Sequence, residues 1–77
     1  MEIRFTVDDN YIKDLQNKAG KIKATLIASE ALSLFNWALD EVAKGKKIVA
    51  LDEQKEKYKE VITPILDKVR KGHLTEA

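Results

Sequence analysis

Apolar and polar residues alternate at the start of the chain, with Ile3, Phe5 and Val7 on one side and Glu2, Arg4 and Thr6 on the other. A period of two predicts a half-buried strand, and the β-branched and aromatic residues in it suit a pleated, partly covered surface. At Asp8 and Asp9 the pattern changes. Either carboxylate can cap a helix, and Ile12, Leu15 and Ala19 follow at helical spacing until Gly20, which predicts a short helix over 9–19. A polar linker over 20–23 leads into the longest periodic stretch. There Ile27, Ala28, Ala31, Leu32, Phe35, Ala38, Leu39 and Val42 recur at intervals of three and four, predicting a helix over 24–44 that ends at Gly45. Leu26, Leu34 and Trp37 lie off that stripe, so a second face of the same helix also requires cover.

Beyond Gly45, residues 46–51 read as a short extended piece. Asp52 is placed to cap a third helix carrying Tyr58, Val61, Ile62, Ile65, Leu66 and Val69. Pro64 interrupts that pattern, because an interior proline loses a backbone hydrogen bond and clashes with the preceding turn. The helix therefore either kinks there or starts afresh with Thr63 as cap and Pro64 in the first helical position. Gly72 is expected to end the order, leaving 73–77 as a frayed tail with His73 exposed.

Length limits what such elements can build. The 77 residues suit one small domain, 44% of them are hydrophobic with eight alanines among these, and no cysteine is present to cross-link a thin core. A lone strand leaves backbone groups unsatisfied along both edges and an apolar face that two short helices cannot cover fully. Residues 48–51 are the one internal candidate to pair with it. The alternative is the same strand from a second copy, antiparallel about a two-fold axis.

Lys and Arg number 14 against 13 Asp and Glu, a net charge of +1 that describes a well-solvated surface and selects no partner. No apolar run is long enough to span a bilayer, and the first residues lack the basic start and apolar stretch of a signal peptide, so a cytoplasmic protein is expected, with no membrane partner. Catalysis is not expected. Ser29 and Ser33 lie in a helical pattern, while Asp40 with Glu41 and Asp52 with Glu53 are adjacent pairs whose side chains point in different directions. No glycine-rich phosphate loop or metal-ligand spacing occurs, so no cofactor and no metal are expected.

Strand, short helix, glycine-containing turn and long helix, written here as EIRFTV, DDNYIKDLQNKAG and KIKATLIASEALSLFNWALDEV, resemble the ribbon-helix-helix DNA-binding proteins of the Arc/MetJ type over residues 2–44. The resemblance implies a mainly α fold: a homodimer in which each chain gives one N-terminal strand and two helices, here with an additional C-terminal helix kinked or restarted near Pro64. It divides the chain into a dimerisation and DNA-binding domain over 1–47 and a C-terminal extension over 48–77. It implies a two-stranded ribbon in the major groove, with Arg4 and Thr6, and Glu2 beside them, at base edges. Lys21, Lys23, Ala24 and Thr25 then face phosphate, and Ile3, Phe5, Val7, Ile27, Ala31, Leu32, Phe35, Trp37 and Leu39 form the dimer core.

The chemistry of these residues agrees. Arginine can donate two hydrogen bonds to guanine, threonine can meet a base edge or a thymine methyl, and a carboxylate such as Glu2 is tolerated only where it accepts from a cytosine amine. Lys21 and Lys23 stand at the positive end of the long helix, in a stretch over 10–23 that holds four lysines and one aspartate. Lys23 occupies the position where the family often places a Ser or Thr cap, and Thr25 follows two residues later. The expected function is a sequence-specific DNA-binding homodimer, a small transcriptional regulator acting as a repressor, with higher-order association on DNA. The alternative is an antitoxin-like or adaptor protein whose C-terminal helix, over 53–71, binds a protein partner. A third reading is a monomer with residues 48–51 paired against residues 3–7.

Overall fold

A computed structural model of the chain describes the backbone of residues 1–76 and the side chains of residues 1–72. Its elements are α1 (Asp9–Lys18), α2 (Ala24–Ala43), β1 (Val49–Asp52), β2 (Lys57–Glu60) and α3 (Pro64–Glu76). The chain divides into two compact units, Met1–Ser33 and Leu34–Ala77, and α2 crosses the division. Among the described residues, no helix is long and apolar enough to cross a membrane.

In the first unit, Asp8 starts α1 by accepting hydrogen bonds at Oδ1 from the amides of Asn10 (2.8 Å) and Tyr11 (3.3 Å), two of the donors a helix N-terminus leaves unpaired. The other end closes with a glycine cap. Gly20 takes φ +87°, its N–H donates to the Asn17 carbonyl (3.2 Å), and the Lys21 N–H donates to the Gln16 carbonyl (2.7 Å). Lys21 is itself left-handed (φ 63°), a backbone state that costs a non-glycine residue about 1–2 kcal/mol. The Gln16 side chain bridges the same turn by donating to the Ile22 carbonyl at 3.1 Å.

The second unit holds the core. Ala38 and Val42 of α2 and Leu66 of α3 are buried, with Phe35, Leu39, Ile48 and Val69 packed around them. Leu66 is 2% exposed, and burying a leucine this fully contributes about 1.5–3 kcal/mol. Helix α2 reaches this core and stops through a second glycine cap: Gly45 has φ +89°, its N–H donates to the Val42 carbonyl (3.0 Å), and Lys46 N–H donates to the Glu41 carbonyl (3.1 Å). The Lys46 ammonium also pairs with the Glu41 carboxylate at 3.2 Å.

The chain then forms an antiparallel hairpin in the register Val49 to Glu60, Ala50 to Lys59, Leu51 to Tyr58 and Asp52 to Lys57. In its turn the Asp52 carboxylate accepts from the Lys55 amide (3.3 Å), and Glu56 takes the left-handed conformation (φ 53°). Helix α3 starts at Pro64, where the missing N–H is no loss. Thr63 caps it through Oγ1, which accepts from the Leu66 amide at 3.2 Å, while its carbonyl accepts from Asp67 at 2.8 Å.

The expected ribbon-helix-helix chain is therefore overturned: two helices come first and the strands follow them, with no strand at the N-terminus. Residues 1–8 carry no regular structure. Alternation is a property of side chains, whereas a strand forms only when its backbone finds a partner. The one internal candidate, residues 48–51, is paired instead with a nearby segment across a short turn, a closure that costs little entropy. The helix expected from Asp52 onward is likewise absent over 53–60. Tyr58 belongs to the period-two sequence Lys57, Tyr58, Lys59 and Glu60, and Asp52 serves a turn as readily as a cap. Of the two options at Pro64, the fresh start forms. Helix α3 runs through Gly72 to Glu76, so the expected stop at Gly72 is corrected; the exposed state expected of His73 lies outside the described side chains, and Ala77 lies outside the described residues.

One ionic cluster ties β2 to α3. Arg70 Nη2 donates to Asp67 Oδ1 (2.6 Å), Nη1 lies 3.6 Å from Glu60 Oε1, and Lys71 Nζ lies 3.0 Å from Asp67 Oδ2. The hydrogen bond from Lys71 and then that from Arg70 hold the Asp67 carboxyl below its ordinary value of 3.8, with burial working against them. A carboxylate whose pKa is lowered on folding adds stability above its unfolded value, and that stability is lost as pH falls through the folded value. Asp67→Asn is therefore expected to be less stable than the native chain at pH 7, by urea denaturation. The gap between the two should close as the pH falls below 3.8; a gap that stays constant into that range contradicts the assignment.

Candidate nucleic-acid interface

The N-terminal segment presents its two sides differently. Glu2 and Arg4, two residues apart, meet side by side: Arg4 Nε and Nη2 each lie 2.9 Å from Glu2 Oε1, in a pair that is largely open to solvent. Such an exposed pair is worth about 0–1 kcal/mol, so it holds the Arg4 guanidinium only weakly. Thr6 is exposed beside them, with no hydrogen-bonding partner among the described residues. Ile3 and Phe5 are 65% and 73% exposed, Val7 is half-buried, and no backbone hydrogen bond engages residues 1–7 among the described residues.

The second set of predicted contacts gathers where α1 hands over to α2. Lys21 is held in its left-handed turn, and with Lys13, Gln16 and Asn17 it lines a shallow depression. Three of these four were not singled out from the pattern, although spacings of three and four place Lys13, Gln16 and Asn17 on one face of α1. Lys18 is not available in the same way, because its ammonium pairs with Asp14 at 2.8 Å. Lys13, Lys21 and Lys23 have no carboxylate partner among the described residues.

Lys23 stands at the cap position of α2. Its carbonyl accepts from the Leu26 and Ile27 amides, both at 3.1 Å, but an ammonium side chain cannot accept a hydrogen bond. Thr25 makes no capping bond either. The amides of Ala24 and Thr25 find no acceptor among the described residues, and the first turn of α2 contains no acidic side chain. The helix thus begins with its positive end uncompensated, a geometry that favours an anion in front of it.

Of the residues expected in a dimer core, Phe35 and Leu39 are brought together around Ala38, Val42 and Leu66. Ile27 is half-buried and Ala31 exposed, while Leu32 (67%) and Trp37 (51%) present large apolar surfaces. No protein-family model, curated protein or solved structure matches the chain.

An uncapped helix start can be tested by capping it. Lys23→Asp is expected to stabilise the protein by about 0.5–2 kcal/mol, since the carboxylate accepts from the idle amides and complements the helix dipole. Urea denaturation at low salt reads the effect, and an unchanged or lower midpoint contradicts the description of this terminus.

Proposed function

We propose that the chain binds double-stranded DNA as a homodimer and regulates transcription by occupying an operator. The observation that carries this reading is the segment over residues 2–7, where Ile3 and Phe5 are exposed, the backbone is unpaired, and Arg4, in a solvent-open pair with Glu2, and Thr6 are exposed. Two copies that associate through this segment bring two sets of Arg4 and Thr6 together, on a scale the major groove admits. Ile3 and Phe5 are covered between the copies. Arg4 of each copy leaves Glu2 for a guanine, Thr6 meets a neighbouring base edge, and Glu2 restricts the sequence to one that offers an amine or keeps its distance. The roles of these positions rest on the resemblance of residues 2–44 to known DNA-binding chains, and the uncapped start of α2 with Lys21 and Lys23 supports them as a phosphate site.

The near-neutral charge makes the reading demanding. One chain carries +1, so affinity must come from placement of a few cations and fall steeply with salt. Selection of bound duplexes from a random pool, followed by affinity against salt concentration, tests it. Lys23→Ala should weaken all sequences alike and lower the slope of log K against log salt by about 0.9 per lost phosphate contact. Arg4→Ala should instead relax preference at one base pair by about 1–3 kcal/mol. A protein that shows no salt-dependent binding to any duplex sinks the proposal.

A further inference from the structure

We infer that the outer edge of β1 pairs antiparallel with β1 of a second copy, about a two-fold axis at Ala50, giving the chain a self-association surface separate from its N-terminal segment. Hydrogen bonding in the hairpin shows which groups are available. Val61 N–H donates to the Ile48 carbonyl at 2.7 Å, which marks Ile48 and Val61 as a hydrogen-bonded pair just beyond the strand ends. In an antiparallel ladder such pairs alternate, so Ala50 with Lys59 and Asp52 with Lys57 also bond inward. Val49 and Leu51 therefore turn their N–H and C=O groups to the outer edge of β1, as Tyr58 and Glu60 do on β2. No partner for these outward groups exists among the described residues.

The two edges differ in character. Strand β2 carries Lys57, Lys59 and Glu60, and charged side chains on an edge discourage further pairing. Strand β1 carries one charge, Asp52 at its end, against three on β2, and residues 48–51 are uncharged and include two β-branched side chains, so this is the edge that accepts another strand.

The sequence of that edge is complementary to itself. A two-fold axis at Ala50 sets Val49 opposite the partner's Leu51 and Leu51 opposite the partner's Val49. Both are residues whose backbone groups face outward, so four hydrogen bonds close and apolar side chains meet apolar side chains. Neighbouring registers that keep the same faces together are worse. Centring on Leu51 places Val49 against the partner's Glu53, and centring on Val49 places Leu51 against the partner's Lys47. A slip of one residue turns the strand over.

The side chains give the reason for association. Val49 (44% exposed), Leu51 (62%) and Tyr58 (64%) share one face of the hairpin, and an isolated two-stranded hairpin is marginal in water. Joining two hairpins makes a four-stranded sheet in which these apolar faces become continuous. It also removes the unprotected edge from solvent.

The chain contains no cysteine, so Ala50→Cys in the full protein provides a single thiol at the proposed axis. Ala50 and its mate form a non-hydrogen-bonded pair there, with Cα atoms about 4.5 Å apart, within disulfide range. Mild oxidation at micromolar concentration is expected to yield a covalent dimer, whereas Lys59→Cys on β2 should give only the background level. Adding Leu51→Lys should bring Ala50→Cys down to that background. Adding Phe5→Glu, which disrupts the proposed N-terminal pairing, should leave cross-linking unchanged, so the two interfaces are tested apart. Hydrogen exchange supplies a reading on the native chain: the Val49 and Leu51 amides should slow as protein concentration rises, while those of Tyr58 and Glu60 stay fast. Cross-linking at background level, its disappearance with Phe5→Glu, or edge protection that arises only with an added extended peptide would each overturn the inference.

Discussion

Leu66 closes against Ala38 and Val42, and this contact is what joins the end of α2 to α3 across the hairpin between them. Everything in the second unit is arranged around it. The glycine cap at Gly45 releases the chain from α2 immediately after Val42, and the Thr63 cap with Pro64 starts α3 two residues before Leu66. The hairpin bridges the gap and contributes Ile48 to the rim of the core. Among the described residues only these three side chains are buried, so a leucine's worth of burial, about 1.5–3 kcal/mol, carries an unusually large share of the packing.

A core this small leaves large apolar side chains elsewhere without cover, among them Ile3, Phe5, Leu32, Trp37, Leu51 and Tyr58. Scattered exposure of single apolar residues is ordinary, but here exposure coincides with unpaired backbone, at residues 2–7 and along the edge of β1. In both places backbone groups lack a hydrogen-bonding partner among the described residues. That shared lack links the proposed DNA-binding dimer to the proposed hairpin interface: each completes hydrogen bonding and apolar burial together, by symmetry, with a copy of the same segment.

Local signals were legible where one residue decides the geometry. Gly20 and Gly45 end the first two helices as expected, while Asp8 rather than Asp9 caps α1 and Thr63 with Pro64 starts α3 afresh rather than kinking it, each one of two options the pattern left open. Apart from the expected stop at Gly72, which α3 runs through, the differences concern pairing. Residues 2–7 alternate as a strand does, yet whether they form one depends on a partner that no local pattern specifies. Tyr58, Val61 and Ile62 are spaced as on a helix, but a four-residue turn brings Lys57–Glu60 back onto Val49–Asp52 at low entropic cost and settles that segment as a strand. The candidate site shows the same division. Lys21 and Lys23 were readable as a basic turn before a helix, whereas the left-handed backbone of Lys21, the idle amides of Ala24 and Thr25, and the ion pair between Arg4 and Glu2 emerge only from the folded geometry.

The central claim is that the chain completes its structure by association with copies of itself. Sedimentation of the full protein across a micromolar concentration range tests this most directly. The expected result is a species of at least twice the 8.7 kDa of one chain, shifting toward smaller mass on dilution or on replacing Phe5 or Leu51 with a charged residue. A cooperatively folded monomer that persists over the whole range contradicts the account.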